Sequence, residues 1–196
     1  DDDPEVHMNL GGVFMLQDMY ESAARCFRKV IEIDPMDRLG YANLAAAYDC
    51  DKKYDEEVRV LKKILMFTPE DIELRSALST AYFNSEDYDE ALNHALCVIE
   101  LDEKDPQAYC NLGSCYSAQN MVDEAVKTFQ KASEIDPEYS LPHTNLGSLY
   151  ATIGRLEKAI KEFKIATNMN PSDALAWLNL NSLYKEVGRL DDAQEA

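Results

Sequence analysis

Residues 106–139 read PQAYCNLGSCYSAQNMVDEAVKTFQKASEIDPEY, and this stretch decides the fold once its neighbours are aligned with it. Its two cysteines, Cys110 and Cys115, raise a chemical question first, because C-x4-C could be a metal or redox pair. On a helix of 3.6 residues per turn they lie about 140° apart around the axis, so they do not readily share a metal. Aligned with the rest of the chain, Cys110 falls in line with Ala42, Ser76 and Thr144, and Cys115 with Ala47, Ala81 and Leu149. They read as small side chains filling small places in one copy of a pattern that recurs every 34 residues.

Counted from Pro4, copies begin at Pro4, Arg38, Ile72, Pro106, Ser140 and Ala174 without insertion. They give repeats 4–37, 38–71, 72–105, 106–139, 140–173 and a truncated 174–196, within a single array spanning 1–196. Position 7 of each repeat is leucine (Leu10, Leu44, Leu78, Leu112, Leu146, Leu180), and position 11 is always an aromatic ring (Phe14, Tyr48, Tyr82, Tyr116, Tyr150, Tyr184). Position 20 is alanine except at Glu57, and position 32 is proline in repeats one, two, four and five but Glu103 in repeat three.

The spacings have a physical reading. Leucine at 7 and the ring at 11 are four apart and share one helical face. Alanine at 20, a bulky residue at 24 (Phe27, Leu61, Phe129, Phe163, but Ala95) and Val, Ile or Ala at 27 form a stripe on a second helix. Small residues at 8 and 20 permit close approach. Turn signals such as Gly154-Arg155 and Gly188-Arg189 separate the stripes, and proline at 32 stops the second helix because it has no amide hydrogen. Each repeat is therefore expected to be an antiparallel helix pair. One pair buries too little apolar surface alone, so neighbours must stack, and the expected fold is an all-α solenoid. Ala196 falls inside the expected second helix of repeat six, which suggests a fragment of a longer protein with an open apolar C-terminal edge.

Composition narrows the function. The chain has 196 residues, 46% hydrophobic and 29% charged, with no apolar run long enough to span a membrane. The opening DDDPEV lacks the basic-then-apolar layout of a signal peptide, and five scattered cysteines fit reduced thiols, so a cytosolic or nuclear setting is expected. A net charge of −18 argues against a nucleic-acid partner. The charge is uneven: 25 acidic and 11 basic side chains lie in residues 1–105, against 12 and 8 in 106–196.

The ordered series Tyr109, Leu112, Gly113, Tyr116, Ala125, Phe129, Pro137 resembles the tetratricopeptide repeat, and repeat five follows it with His143, Leu146, Gly147, Tyr150, Ala159, Phe163 and Pro171. The resemblance covers residues 4–196. It implies a right-handed superhelix in which first helices line a concave groove through positions 2, 5, 6, 9, 12 and 13. Only Glu5, Asp49, Glu73, Lys185 and Glu186 are charged in that set, whereas ten of the 19 basic residues occupy positions 22, 25 or 26 on second helices.

Within the implied groove, position 6 is Asn9, Asn43, Asn111, Asn145 and Asn179, interrupted only by Ala77. Asparagine presents donors and an acceptor on a short stem, which suits the amides and carbonyls of an extended peptide. Ser114, Ser148 and Ser182 at position 9 add small hydroxyls beside the ladder. The same asparagines could equally bridge neighbouring helices. The ladder resembles those of peptide-holding arrays such as that of O-linked N-acetylglucosamine transferase. The clamp that holds acidic chaperone tails needs lysine at 5 and arginine at 6. Here position 5 is Met8, Ala42, Ser76, Cys110, Thr144 and Leu178, so an acidic chaperone tail is not the expected partner.

His7, His94 and His143 occupy unrelated places, and no catalytic or phosphate-binding motif occurs. The expectation is a non-catalytic scaffold that binds an extended or helical polypeptide segment of a protein or peptide partner in its concave groove, with no cofactor and no metal. Two alternatives stand beside it: the substrate-recognition arm of a larger enzyme such as a protein O-glycosyltransferase, and a structural array that self-associates through its C-terminal edge. Repeat three departs most from the pattern, with Arg75, Ala77, Ala95 and Glu103, and reads as a softer joint or as drift.

Overall fold

The computed structural model describes residues 3–189. The second helix expected for repeat six, with Ala193 at position 20 and the edge at Ala196, lies outside the described residues. Those residues form helices and turns, with no strand. Repeats one to three hold α1 (Pro4–Leu16), α2 (Tyr20–Ile33), α3 (Arg38–Cys50), α4 (Tyr54–Leu65), α5 (Ile72–Asn84) and α6 (Tyr88–Leu101). Repeats four and five hold α7 (Pro106–Ala118), α8 (Val122–Ile135), α9 (Leu141–Thr152) and α10 (Leu156–Met169), and repeat six begins with α11 (Ala174–Glu186). No described helix is long and apolar enough to cross a membrane.

Contacts divide the chain into two compact units, Asp1–Cys97 and Val98–Ala196, with the boundary inside α6. In the first, α1 packs on α2, α2 on α3, α3 on α4 and α4 on α5. In the second, α7 to α11 pack consecutively, and α9 also touches the first helices on either side, α7 and α11. Both units are stacks of helix pairs, the arrangement the 34-residue register requires.

Inside each pair the fit is set by positions 8 and 24. A Cβ added at Gly11 would sit 2.4 Å from the Phe27 ring, one at Gly113 2.6 Å from Phe129, and one at Gly147 2.9 Å from Phe163. The ring lies directly on the backbone of the first helix. Where the partner is smaller, position 8 regains a side chain: Ala45 stands with Leu61, and Ser79 with Ala95. Ser79 is buried and its hydroxyl donates to the Ala91 carbonyl at 2.8 Å, so the smaller pair of repeat three is closed by a hydrogen bond. Ala23, Ala91, Ala125 and Ala159 are buried, as are the position-7 leucines except Leu10, which no described helix precedes.

Three further positions punctuate the repeats. Position 15 is left-handed throughout: Asp18, Lys52, Glu86 and Asn120 have φ of 56°, 57°, 65° and 60°, and Gly154 and Gly188 have 73° and 76°. The following amide then reaches back to the carbonyl of the position-11 ring, from Met19 to Phe14 at 2.9 Å through Arg189 to Tyr184 at 2.8 Å. The second helices of repeats one, three, four and five end in a side-chain turn at position 31. Asp34, Asp102, Asp136 and Asn170 each accept from the amide two residues on, including in repeat three, where Glu103 replaces proline. First helices start on an aspartate: Asp3, Asp37, Asp71, Asp105 and Asp173 accept first-turn amides, each cap contributing about 1 kcal/mol. Tyr139 stands in that place before repeat five, and α9 begins one residue late, on Ser140, without a side-chain cap.

Glu57, in the alanine slot of repeat two, is buried, and its Oε2 has no hydrogen-bond partner. Burial, with Asp49 adding repulsion, pushes its carboxyl up from 4.5 to about 7. A folded-state pKa above the unfolded value means that the folded chain holds the proton more tightly, so its contribution is complete below 4.5 and is lost as pH rises through about 7.

Two stability outcomes follow from this packing. Gly147→Ala should cost about 1–3 kcal/mol in urea unfolding. Adding Phe163→Leu should recover part of that loss, because Ala45 with Leu61 is already a working pair; purely additive losses would refute the coupling of positions 8 and 24. Glu57→Ala should raise the melting temperature at pH 8 by an amount corresponding to ~1–2 kcal/mol, and the gain should shrink towards pH 5. A gain independent of pH would count against a carboxyl that titrates in the folded state.

Candidate functional site

Each unit carries its own set of asparagines on its first helices. In the first unit Asn9 is exposed and Asn43 half-buried. Asn43 donates from Nδ2 to the Met8 sulfur at 3.1 Å, a bond that ties α3 to α1. In the second unit Asn111, Asn145 and Asn179 lie half-buried on α7, α9 and α11, three first helices that touch in sequence.

These three rungs are not equivalent. Asn111 accepts from Gln107 Nε2 at 2.8 Å, one turn earlier on α7. The carbonyl of Gln107 in turn accepts from the Tyr139 hydroxyl, which burial pushes up to about 12 and so keeps protonated. No hydrogen bond is seen to the side chains of Asn145 and Asn179 among the described residues, and both are half-buried. Half-buried amides with unspent hydrogen-bonding capacity are the groups a ligand backbone can satisfy.

The serines at position 9 differ as well. Ser114 is half-buried and Ser182 exposed, while Ser148 donates to the Thr144 carbonyl of its own helix at 3.0 Å. Position 5 does not line a surface in repeats four and five, contrary to what the resemblance implied. Cys110 is 1% and Thr144 6% exposed, and Thr144 donates to Asp173, the cap of α11, at 3.4 Å. A cysteine or threonine here packs between successive first helices, whereas position 6, one residue further round, reaches the surface.

The thiols of Cys110 and Cys115 are sealed, at 1% and 0% exposure. Burial raises them to about 12 and about 11, so neither forms a thiolate near neutral pH. Among the described residues no cluster of His, Cys, Asp and Glu could hold a metal ion. His94 stacks on Tyr82 with ring centroids 5.6 Å apart, and burial lowers its pKa. His143 lies 2.8 Å from Glu162. Both histidines thus pack first helix against second rather than face the asparagines. Gln107 and Tyr139 are the site residues that spacing alone did not mark. Glutamine at position 2 recurs nowhere else, and the tyrosine occupies a capping place.

Profiles of the tetratricopeptide repeat match residues 4–37, 106–139 and 128–161, and the first two coincide with repeats one and four. Solved structures agree. YrrB, described as a TPR protein with an unusual peptide-binding site, is 26% identical, with 89% of this chain and 90% of that chain covered at a TM-score of 0.61. TTC0263, a thermophilic TPR protein of Thermus thermophilus, is 18% identical over 92% and 98% of the two chains at 0.73. MamA is 23% identical over 87% and 93% at 0.68. No curated protein matches the sequence significantly. Register, helix pairs and profile matches agree: the chain carries tetratricopeptide repeats.

Proposed function

We propose that this protein is an interaction scaffold, without catalysis of its own, that holds an extended polypeptide segment across α7, α9 and α11. Asn111, Asn145 and Asn179 bond its backbone, and Ser114, Ser148 and Ser182 leave room beside them; Asn9 and Asn43 form a shorter set in the first unit. The observation that carries the reading is the pair Asn145 and Asn179, half-buried on touching helices with their amides uncommitted. The surroundings support it, since position 9 is serine in all three repeats and Lys185 and Glu186 are the only charged members of the implied groove set there. The peptide-binding site named for YrrB is consistent with this use of the fold.

Each backbone bond contributes about 0.5–1.5 kcal/mol net, so affinity depends on several acting together. Asn145→Ala with Asn179→Ala should therefore weaken a peptide selected on the wild-type protein by about 1–3 kcal/mol, roughly 5- to 150-fold. Titration calorimetry reads the affinity and circular dichroism the fold. Asn111→Ala is the less clean variant, because it also releases Gln107. Unchanged affinity in the double variant, with helical content intact, would sink the ladder.

A further inference from the structure

In the first unit the second helices frame a recess that the asparagine face does not use. It holds about 300 Å³ between α2 and α4, with α3 as its floor. Buried Leu44 and the rings of Tyr41 and Tyr48 form that floor, and Arg28, Arg59 and Lys63 stand around the rim. Arg28 spends its Nε on the Ala24 carbonyl at 3.4 Å, and no ion pair engages Arg59 or Lys63 among the described residues. Two carboxylates, Glu32 and Glu56, also line the recess. Glu32 is already held by Lys29 at 2.5 Å, which leaves three cations facing one uncommitted rim carboxylate in a chain of net charge −18.

The register shows why this recess is open. In repeats three and five polar side chains close the equivalent place. In repeat five His143 and Glu162 meet at 2.8 Å, and Lys158 lies 5.3 Å from the centroid of the Tyr150 ring. In repeat three His94 stacks on Tyr82, and Lys62 donates to the Tyr82 hydroxyl at 3.2 Å. Repeat two has Tyr41 and Val60 where repeat five has His143 and Glu162, and these form no polar bridge; Tyr48 is only half-buried, whereas Tyr82 and Tyr150 are buried, and Arg59 and Lys63 have no ion pair among the described residues.

We infer that this recess binds an acidic peptide segment carrying one apolar side chain. The apolar group covers Leu44, Tyr41 and Tyr48, and the flanking carboxylates meet Arg28, Arg59 and Lys63. The volume admits one large side chain and its neighbours, and guanidinium groups take carboxylates bidentately. Exposed ion pairs are individually weak, so the apolar anchor is required for selectivity and the charges for steering. The site is separate from the asparagine face and does not rest on it.

The test is fluorescence anisotropy with a labelled heptapeptide, three acidic residues on each side of a phenylalanine, against the same peptide with the acids made amides. Wild type should bind the acidic peptide saturably, more weakly as salt is raised, and at least about tenfold more tightly than the amide version. Arg59→Glu with Lys63→Glu should weaken binding by at least about tenfold. Tyr41→His with Val60→Glu, which installs the closing pair of repeat five, should weaken it likewise, so a folding failure in either variant leaves the other decisive. Asn145→Ala with Asn179→Ala, which disables the separate asparagine face, should leave the affinity for this acidic heptapeptide as in wild type. The inference is overturned if wild type does not bind, if the amide peptide binds equally, if a folded rim or closing variant keeps full affinity, or if the asparagine variant loses it.

Discussion

A phenylalanine ring lying on a backbone with no Cβ is the constraint from which the rest of the molecule follows. At Gly11, Gly113 and Gly147 the closest ring atom would stand 2.4–2.9 Å from any added carbon. First and second helices therefore approach as closely as ring thickness allows. That distance admits only a methyl at position 20, where the buried alanines sit. It also sets the path of the chain between the helices. The turn must reverse in three residues, so position 15 takes the left-handed conformation in all six repeats and the next amide returns to the carbonyl of the position-11 ring. Lys52 and Glu86 adopt φ of 57° and 65° without being glycine, a strain of about 1–2 kcal/mol each that the surrounding packing outweighs.

Much of this is legible in the sequence because it recurs. Leu112, Gly113, Tyr116, Ala125 and Phe129 are individually ordinary, yet the same kinds of residue 34 apart fix helix number, pairing and core. The aspartates before five of the six first helices and the Asp or Asn at position 31 of every complete repeat but the second, which has Thr68, recur in the same register, so caps and turns could have been read from the same alignment. The strained turns could not be read from residue type: nothing in lysine or glutamate signals a left-handed backbone, and only their register with Gly154 and Gly188 does. Position 5 failed for a related reason. Cys110 and Thr144 lie one residue from the surface rungs, and a rotation of one residue on a helix is enough to move a side chain from groove to interface.

Departures from the pattern carry the individual character of the chain. Repeat three, which departs most from the pattern, answers three of its four departures with a bond. Ser79 bonds Ala91, Asp102 turns the chain without proline, and the Arg75 guanidinium donates to the Pro69 carbonyl at 2.9 and 2.6 Å. Glu57 is the opposite case: a carboxylate put where a methyl belongs, buried with one oxygen unpaired. Compensation there is by proton uptake rather than by a partner.

The asparagine rungs differ for a reason that begins at a helix start. Tyr139 takes the place that aspartate fills before the other described first helices, so α9 gives up its side-chain cap and begins one residue late. The tyrosine is long enough to cross to α7, where its hydroxyl commits the carbonyl of Gln107. The amide nitrogen of Gln107 must then be the atom that faces Asn111, and Asn111 accepts through its own carbonyl. One replaced cap thus fixes the orientation of an amide two bonds away on the adjacent first helix. Among the described residues no comparable chain holds Asn145 or Asn179, whose helices start on Ser140 and Asp173. The rung with its acceptor committed and the rungs without such a commitment therefore offer a peptide different hydrogen-bonding valences, although the residue at position 6 is the same in all three repeats.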